Sequence, residues 1–210
     1  MIQLMKMYCH DNVPLRVAKG HFATNHSHIN YYIDITYQKT RLSEAKAVAA
    51  HLVNHFNTAT PVDTILCLDG TAVIGTCLAD ELTRCGFHSM NSHNTIYVLE
   101  PEYNGNSQMI FRDNIQHMIK GKHVLVLLAS VTTGFTAKRS LEAIDYYGGK
   151  VVGIAALYSA VKEVGGKEVQ SVYNVNDLPD YASYDYRECP YCKAGQKIDA
   201  LVNSFGFSKL

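Results

Sequence analysis

The run from Lys122 to Leu128, KHVLVLL, is apolar without alternation. A strand of that kind is buried on both faces, as the central strands of parallel sheets are. Ala129-Ser130-Val131 and the turn Thr132-Thr133-Gly134-Phe135-Thr136 follow it, then a helical pattern over Thr136–Tyr147 that Gly148-Gly149 stops. Strand, small polar turn and helix in that order make one unit of a layered α/β fold.

The rest of the chain repeats the theme. Tyr31–Tyr37 is β-rich. A helix is predicted over Ser43–Phe56, with Ser43 as N-cap, Glu44 at the positive end of the dipole and one apolar stripe through Ala45, Val48, Ala49, Leu52, Val53 and Phe56. Thr64–Leu68 reads as a buried strand that runs into Asp69-Gly70-Thr71 and a helix capped near Gly86. Thr95–Leu99 reads as a strand, Glu100–Gly105 as a loop, Ser107–Ile119 as a helix, Val151–Leu157 as a strand and Val169–Val175 as a final edge strand. The prediction is an α/β fold with a central, mostly parallel sheet flanked by helices.

Length and composition limit the function. A chain of 210 residues suits one domain, and 47% hydrophobic with 18% charged residues is globular. Formal net charge is zero and no basic stripe is visible, which argues against a nucleic-acid partner. No apolar run reaches membrane-spanning length, and the start has no sustained apolar stretch. Cys67, Cys77 and Cys85 lie in apolar segments, where a reduced cysteine packs as a small core residue. A cytoplasmic, reducing compartment is expected.

Two junctions could hold phosphate. At the 130–136 turn, backbone N–H groups have no intrahelical partner, the helix dipole adds positive charge, and threonine hydroxyls add donors. A plain strand-to-helix turn with a threonine cap would read the same. Asp69-Gly70-Thr71-Ala72 repeats the arrangement, and there the Asp69 carboxylate is either a helix cap or a ligand to a metal lying between it and phosphate.

VLVLLASVTTGFTAKRSLEAI resembles the ribose-phosphate-binding signature of the type I phosphoribosyltransferases. Lys19–Asp34, KGHFATNHSHINYYID, is similar to the opening of the orotate enzymes among them. The resemblance implies the type I phosphoribosyltransferase fold with a small N-terminal hood: residues 1–40 as hood, 41–176 as core, 177–210 as tail, in one structural domain. It implies that Ser130, Thr132, Thr133, Gly134, Phe135 and Thr136 hold a 5-phosphate. It further implies that Asp69, Gly70, Thr71 and Ala72 face pyrophosphate, and that Asn25, His26 and Tyr32 lie over the base, with His26 or His28 as a source of charge. It names no catalytic residue.

The implied activity is transfer of ribose 5-phosphate from phosphoribosyl pyrophosphate to a pyrimidine base, with release of pyrophosphate, by a magnesium-assisted homodimer. Two positions depart from the family. Ala129 and Ser130 stand where it has an acidic pair, and 100–122 lacks its basic mobile loop, leaving Arg112 as either a phosphate contact or a solvated helix-face residue. The alternative is therefore a non-catalytic phosphoribosyl or nucleotide-binding regulator. Cys189-Pro-Tyr-Cys192 is read first as a structural turn, second as half of a zinc site, third as a redox pair. Cys9 and His10 are the ligands weighed to complete such a site.

Overall fold

The computed structural model describes residues 3–10, 13–56, 60–84, 90–91 and 95–210. The chain opens with three strands, β1 (Met5–His10), β2 (Val13–Ala23) and β3 (His28–Asp34), paired antiparallel. The expected strand at Tyr31–Tyr37 thus starts earlier and ends sooner. The Asp34 carboxylate accepts the Thr36 N–H at 3.0 Å, a side-chain turn that takes the backbone out of the sheet into helix α1 (Thr36–Thr40).

Helix α2 (Leu42–Leu52) follows, extended by a 3₁₀ turn at Val53–His55. Its N-cap position is Arg41, with extended φ/ψ and no side-chain cap, so Ser43 falls inside the first turn instead of capping it. Glu44 is in that turn as expected, and Ala45, Val48, Ala49 and Leu52 are buried. Strand β4 (Thr64–Cys67) then leads to α3 (Ala72–Arg84). Gly75 lets the two approach, since a Cβ there would lie 2.3 Å from the Cys67 sulfur. Cys67 and Cys77 are buried, and desolvation pushes the Cys67 thiol up to about 12. The cap at Gly86 and Cys85 lie outside the described residues.

Strand β5 (Tyr97–Leu99) is shorter than expected. The next stretch corrects the sequence reading outright. In place of a loop and a long helix there is a hairpin, β6 (Glu102–Tyr103) with β7 (Met109–Ile110), then a single turn, α4 (Asp113–Gln116). Asn104 causes it: its side-chain oxygen accepts the N–H groups of Asn106 and Gln108, both at 2.9 Å, folding the chain back.

Strand β8 (His123–Val131) is followed by α5 (Phe135–Tyr146), β9 (Lys150–Ser159), the two-residue β10 (Glu163–Val164) and β11 (Lys167–Asn174). The sheet order is β10-β11-β9-β8-β4-β5, parallel except for β10, which caps the β11 edge. Both faces of β8 are buried. Leu125, Leu127 and Ala129 pack in the cluster that includes α2 and α3; Val124, Val126 and Leu128 pack in the one that includes α5.

The last segment holds β12 (Ser183–Tyr184), α6 (Pro190–Lys193), β13 (Ala200–Asn203) and β14 (Gly206–Lys209). These strands join the first three in a second sheet, β12-β3-β2-β13-β14, with β1 on β2. Among the described residues no helix is long and apolar enough to cross a membrane.

Candidate functional site

The carboxyl end of β8 and the face of the second sheet enclose a cavity of about 240 Å³. The turn after β8 forms one wall, and Ser130, Thr132, Thr133, Gly134, Phe135 and Thr136 all line it. Gly134 is the N-cap of α5 with φ 76°, a left-handed conformation that glycine adopts without strain. A Cβ there would also press within 2.9 Å of Val164. The turn therefore presents the open N-terminus of a 12-residue helix to the cavity.

The opposite wall is the β2–β3 turn. Thr24 closes it by donating from N–H and hydroxyl to the Ser27 carbonyl, at 2.8 and 2.9 Å. Asn25, His26 and Tyr32 line the cavity, and His26 meets Phe135 across its mouth with ring centroids 5.3 Å apart. Burial, then Asp34, raises the Tyr32 pKa far above the ordinary phenol value, so it remains a protonated donor.

Asp69 reaches this cavity and an adjoining cleft that contains Tyr103 and Arg139. It has positive φ, 58°, as does Gly70 at 75°. Burial raises the Asp69 pKa, while the Ala129 backbone N–H, the Lys39 ammonium and the Ser204 side chain pull it down. Helix α3 opens at Ala72, which leaves Asp69 ahead of the capping position, so the cap reading is corrected. Gly70, Thr71 and Ala72 do not line the cavity. The buried Thr71 hydroxyl donates to the carbonyls of Leu68 and Leu127, at 2.8 and 3.2 Å, and pins the loop to the sheet.

Ala129 and Ser130 differ from each other. Ser130 faces the cavity, whereas Ala129 is fully buried among core side chains. Arg112 is neither in the cavity nor on a helix face. It precedes α4 and forms a bidentate pair with Glu102, at 2.5 and 2.8 Å.

No family model matches the chain. Over 112 residues it is 28% identical to the orotate phosphoribosyltransferase of Campylobacter lari, a span covering 44% of this chain and 55% of that protein. The chain thus spans about half the length of the curated relatives it matches. In structure it is similar to Leishmania donovani UMP synthase, with TM-score 0.56 and 19% identity over 78% of this chain and 34% of that one. It is also similar to Mycobacterium tuberculosis orotate phosphoribosyltransferase in complex with phosphoribosyl pyrophosphate, with TM-score 0.51 and 18% identity over 70% and 82%. The chain has the type I phosphoribosyltransferase fold. The α/β expectation and the family resemblance are both borne out.

Within that fold, several residues that line the cavity or hold its lining residues were missed from sequence. Lys39 is buried, and its ammonium donates to the Asp69 carbonyl at 2.8 Å and to the Ser204 carbonyl. Burial lowers its pKa, opposed by Asp69 and Asp34. The tail contributes Val202, Asn203 and Ser204 to the wall. Tyr181 lines the cavity too, with its pKa pushed up to about 12 by burial and its hydroxyl without a partner among the described residues. No local pattern marks these residues, because tail and hood meet through pairings of distant segments, β13 on β2 and β12 on β3.

His28 lies away from the cavity. With His21 it faces Cys189 and Cys192, and the four donor atoms lie within 4.8 Å of one another. The side chains of Cys9 and His10 lie outside the described residues.

Proposed function

We propose that this chain is a phosphoribosyltransferase that moves ribose 5-phosphate from phosphoribosyl pyrophosphate to a pyrimidine base. The observation that carries the reading is the left-handed Gly134 turn, which opens a helix N-terminus into a cavity roofed by Asn25, His26 and Tyr32. The 5-phosphate takes the amides and hydroxyls of Thr132–Thr136, where fixed dipoles favour a dianion. Ser130 serves the ribose, and pyrophosphate leaves past Asp69. The base enters under the hood, and its ring nitrogen bonds C1 as the bond from C1 to pyrophosphate oxygen breaks, with inversion, the nitrogen's proton passing to the departing pyrophosphate. The protein positions the two reactants and withholds water.

Magnesium fits this arrangement through Asp69. A magnesium ion needs one or two carboxylates together with substrate phosphates and water. The Asp69 carboxylate lies where the two clefts meet, and it would hold the ion that neutralises pyrophosphate. The buried Ala129 offers no ligand, so Asp69 and Ser130 carry the polar contacts that an acidic pair would make. The chain acts as a homodimer in this reading, which sedimentation in solution tests.

The experiment is calorimetric titration with phosphoribosyl pyrophosphate and magnesium, then orotate, with pyrophosphate release followed in the same cell. Binding with release is the expected result. Binding without release across a panel of bases would make the chain a non-catalytic phosphoribosyl binder. No binding at all would sink both.

A further inference from the structure

We propose that His21, His28, Cys189 and Cys192 form a closed, structural zinc site that fastens the carboxyl-terminal segment to the hood. The two histidines project from the N-terminal sheet; the two cysteines come from the α6 turn, up to 171 residues further along the chain. The site takes no part in the phosphoribosyl chemistry, so its test is independent of that reading.

Four of the six distances among the donor atoms match the edges of a zinc tetrahedron. His21 Nε2 lies 3.0 Å from His28 Nδ1, 3.5 Å from the Cys189 sulfur and 3.7 Å from the Cys192 sulfur, and His28 Nδ1 lies 3.3 Å from the Cys192 sulfur. Zinc bonds of about 2.0–2.1 Å to nitrogen and about 2.3 Å to sulfur give tetrahedral edges of roughly 3.4 Å between nitrogens and roughly 3.5 Å from nitrogen to sulfur. Each observed edge agrees to within a few tenths of an ångström. Two thiolates and two imidazoles are a soft donor set that selects zinc over magnesium or calcium.

The surroundings fix the ligand atoms. His21 Nδ1 is 3.1 and 3.2 Å from the carbonyls of Gln196 and Lys197. Carbonyls only accept, so Nδ1 carries the proton and Nε2 turns a lone pair toward the cluster, as outer-shell partners of metal-bound histidines do. The His21 backbone exchanges hydrogen bonds with Asp199, its N–H to the carboxylate and its carbonyl from the Asp199 N–H, both at 2.8 Å. Tyr191, between the cysteines, stacks on the His21 ring at 5.3 Å. Both cysteines are free thiols. Without a cation, weak S–H donors are all that would answer the converging lone pairs. With zinc, both thiol protons pass to solvent and all four atoms are satisfied.

The site supports the cavity from outside. The hood turn is one of its walls, and the metal ties β2 and β3, which carry that turn, to the α6 segment that leads into β13.

The test is the metal content of the full chain purified without chelator, with X-ray absorption at the zinc edge. One zinc per chain with a two-sulfur, two-nitrogen shell is expected. Cobalt exchanged for zinc should give the intense visible bands of a tetrahedral thiolate site. Cys192→Ser, at an exposed position, should lose both signals, and Cys77→Ser in α3 should keep them. A chain that takes up neither ion, a Cys189–Cys192 disulfide in the purified protein, or zinc retained by the Cys189→Ser/Cys192→Ser double variant would each overturn the proposal. The absorption shell is measured on unsubstituted protein, so it decides the matter even where a variant fails to fold.

Discussion

The two six-stranded sheets are held together in different ways. The parallel sheet is sandwiched between two large apolar clusters, and its central strand β8 is buried on both faces. Among the described residues the hood sheet has its own, smaller cluster of buried residues: Ala18, Phe22, Ile29, Tyr32, Ala200 and Val202. Val13, Leu15 and Val17 of β2 also pack into the large cluster with α2 and α3, and specific polar clasps add to that hold. Arg16 of β2 grips Glu44 of α2 with two bonds of 2.7 Å, the Gln38 amide donates to the Pro14 carbonyl at 2.6 Å, and the Tyr173 hydroxyl donates to the Val13 carbonyl. Asn30 bridges Asp180 and Ala182, tying the tail to β3. Apolar area is non-directional and tolerant of change. A buried polar clasp is directional and fails when one partner is removed. The cavity lies between a wall of each kind, so its shape depends on both.

Glu44→Ala puts this contrast under the greatest load. It leaves the Arg16 guanidinium buried without its carboxylate, which should cost about 3–5 kcal/mol in urea unfolding. A loss under about 1 kcal/mol, the worth of a surface pair, would mean that the hood does not depend on its clasps. Next comes the cavity wall itself. Gly134→Ala forces a side chain into the left-handed region at about 1–2 kcal/mol. Its Cβ must also displace Val164. Calorimetry with inorganic phosphate should then show affinity weakened about tenfold, the equivalent of about 1.4 kcal/mol. Unchanged affinity would remove this turn from the binding surface.

A smaller effect sets one sheet directly against the other. Ile154→Val in β9 and Ile29→Val in β3 delete the same methylene, which costs about 0.5–1.5 kcal/mol in a core. Ile154 is fully buried in the large cluster and should fall at the upper end; Ile29, 7% exposed in the small one, at the lower. The reverse order would show the hood packed as tightly as the parallel sheet.

The same division decides what could be read from sequence. Lys122–Leu128 announces a central strand because burial on both faces leaves only apolar residues, and Thr132–Thr136 stands out because a strand meets a helix there. Both signals are local. The hood's partners are not: His21 and Cys189 are 168 residues apart, and no periodicity links them. Lys39 was missed for the same reason, since its partners Asp69 and Ser204 come from a loop and from the tail. The segment 107–119 failed differently. Met109 and Ile110 carry too little apolar pattern to specify a helix, and the hydrogen bonds of Asn104 outweigh it.

The slightest change is expected at the amino edge of the parallel sheet, where β4 and β8 begin. The Asp63 carboxylate accepts the His123 N–H at 2.7 Å and pairs with the ring Nδ1 at 2.9 Å. Burial pushes the Asp63 pKa up, but the backbone and side-chain hydrogen bonds from His123 outweigh it and hold the carboxyl below its ordinary value. The unfolded chain therefore binds this proton more readily than the folded one. The resulting stability is fully present above roughly pH 3.9, the unfolded value, and is lost as pH falls through the lower folded value. Both side chains are about a third exposed, so the contribution is modest. Asp63→Asn should lower the melting temperature slightly at neutral pH and leave it equal to that of the unsubstituted chain in strong acid. A gap that persists in strong acid would assign the loss to packing instead of charge. The pair lies at the opposite end of the strands from the Thr132–Thr136 turn, so phosphate binding should not change. If it does, the parallel sheet transmits strain along β8 from edge to edge, and the two walls of the cavity are coupled more tightly than their separate anchoring implies.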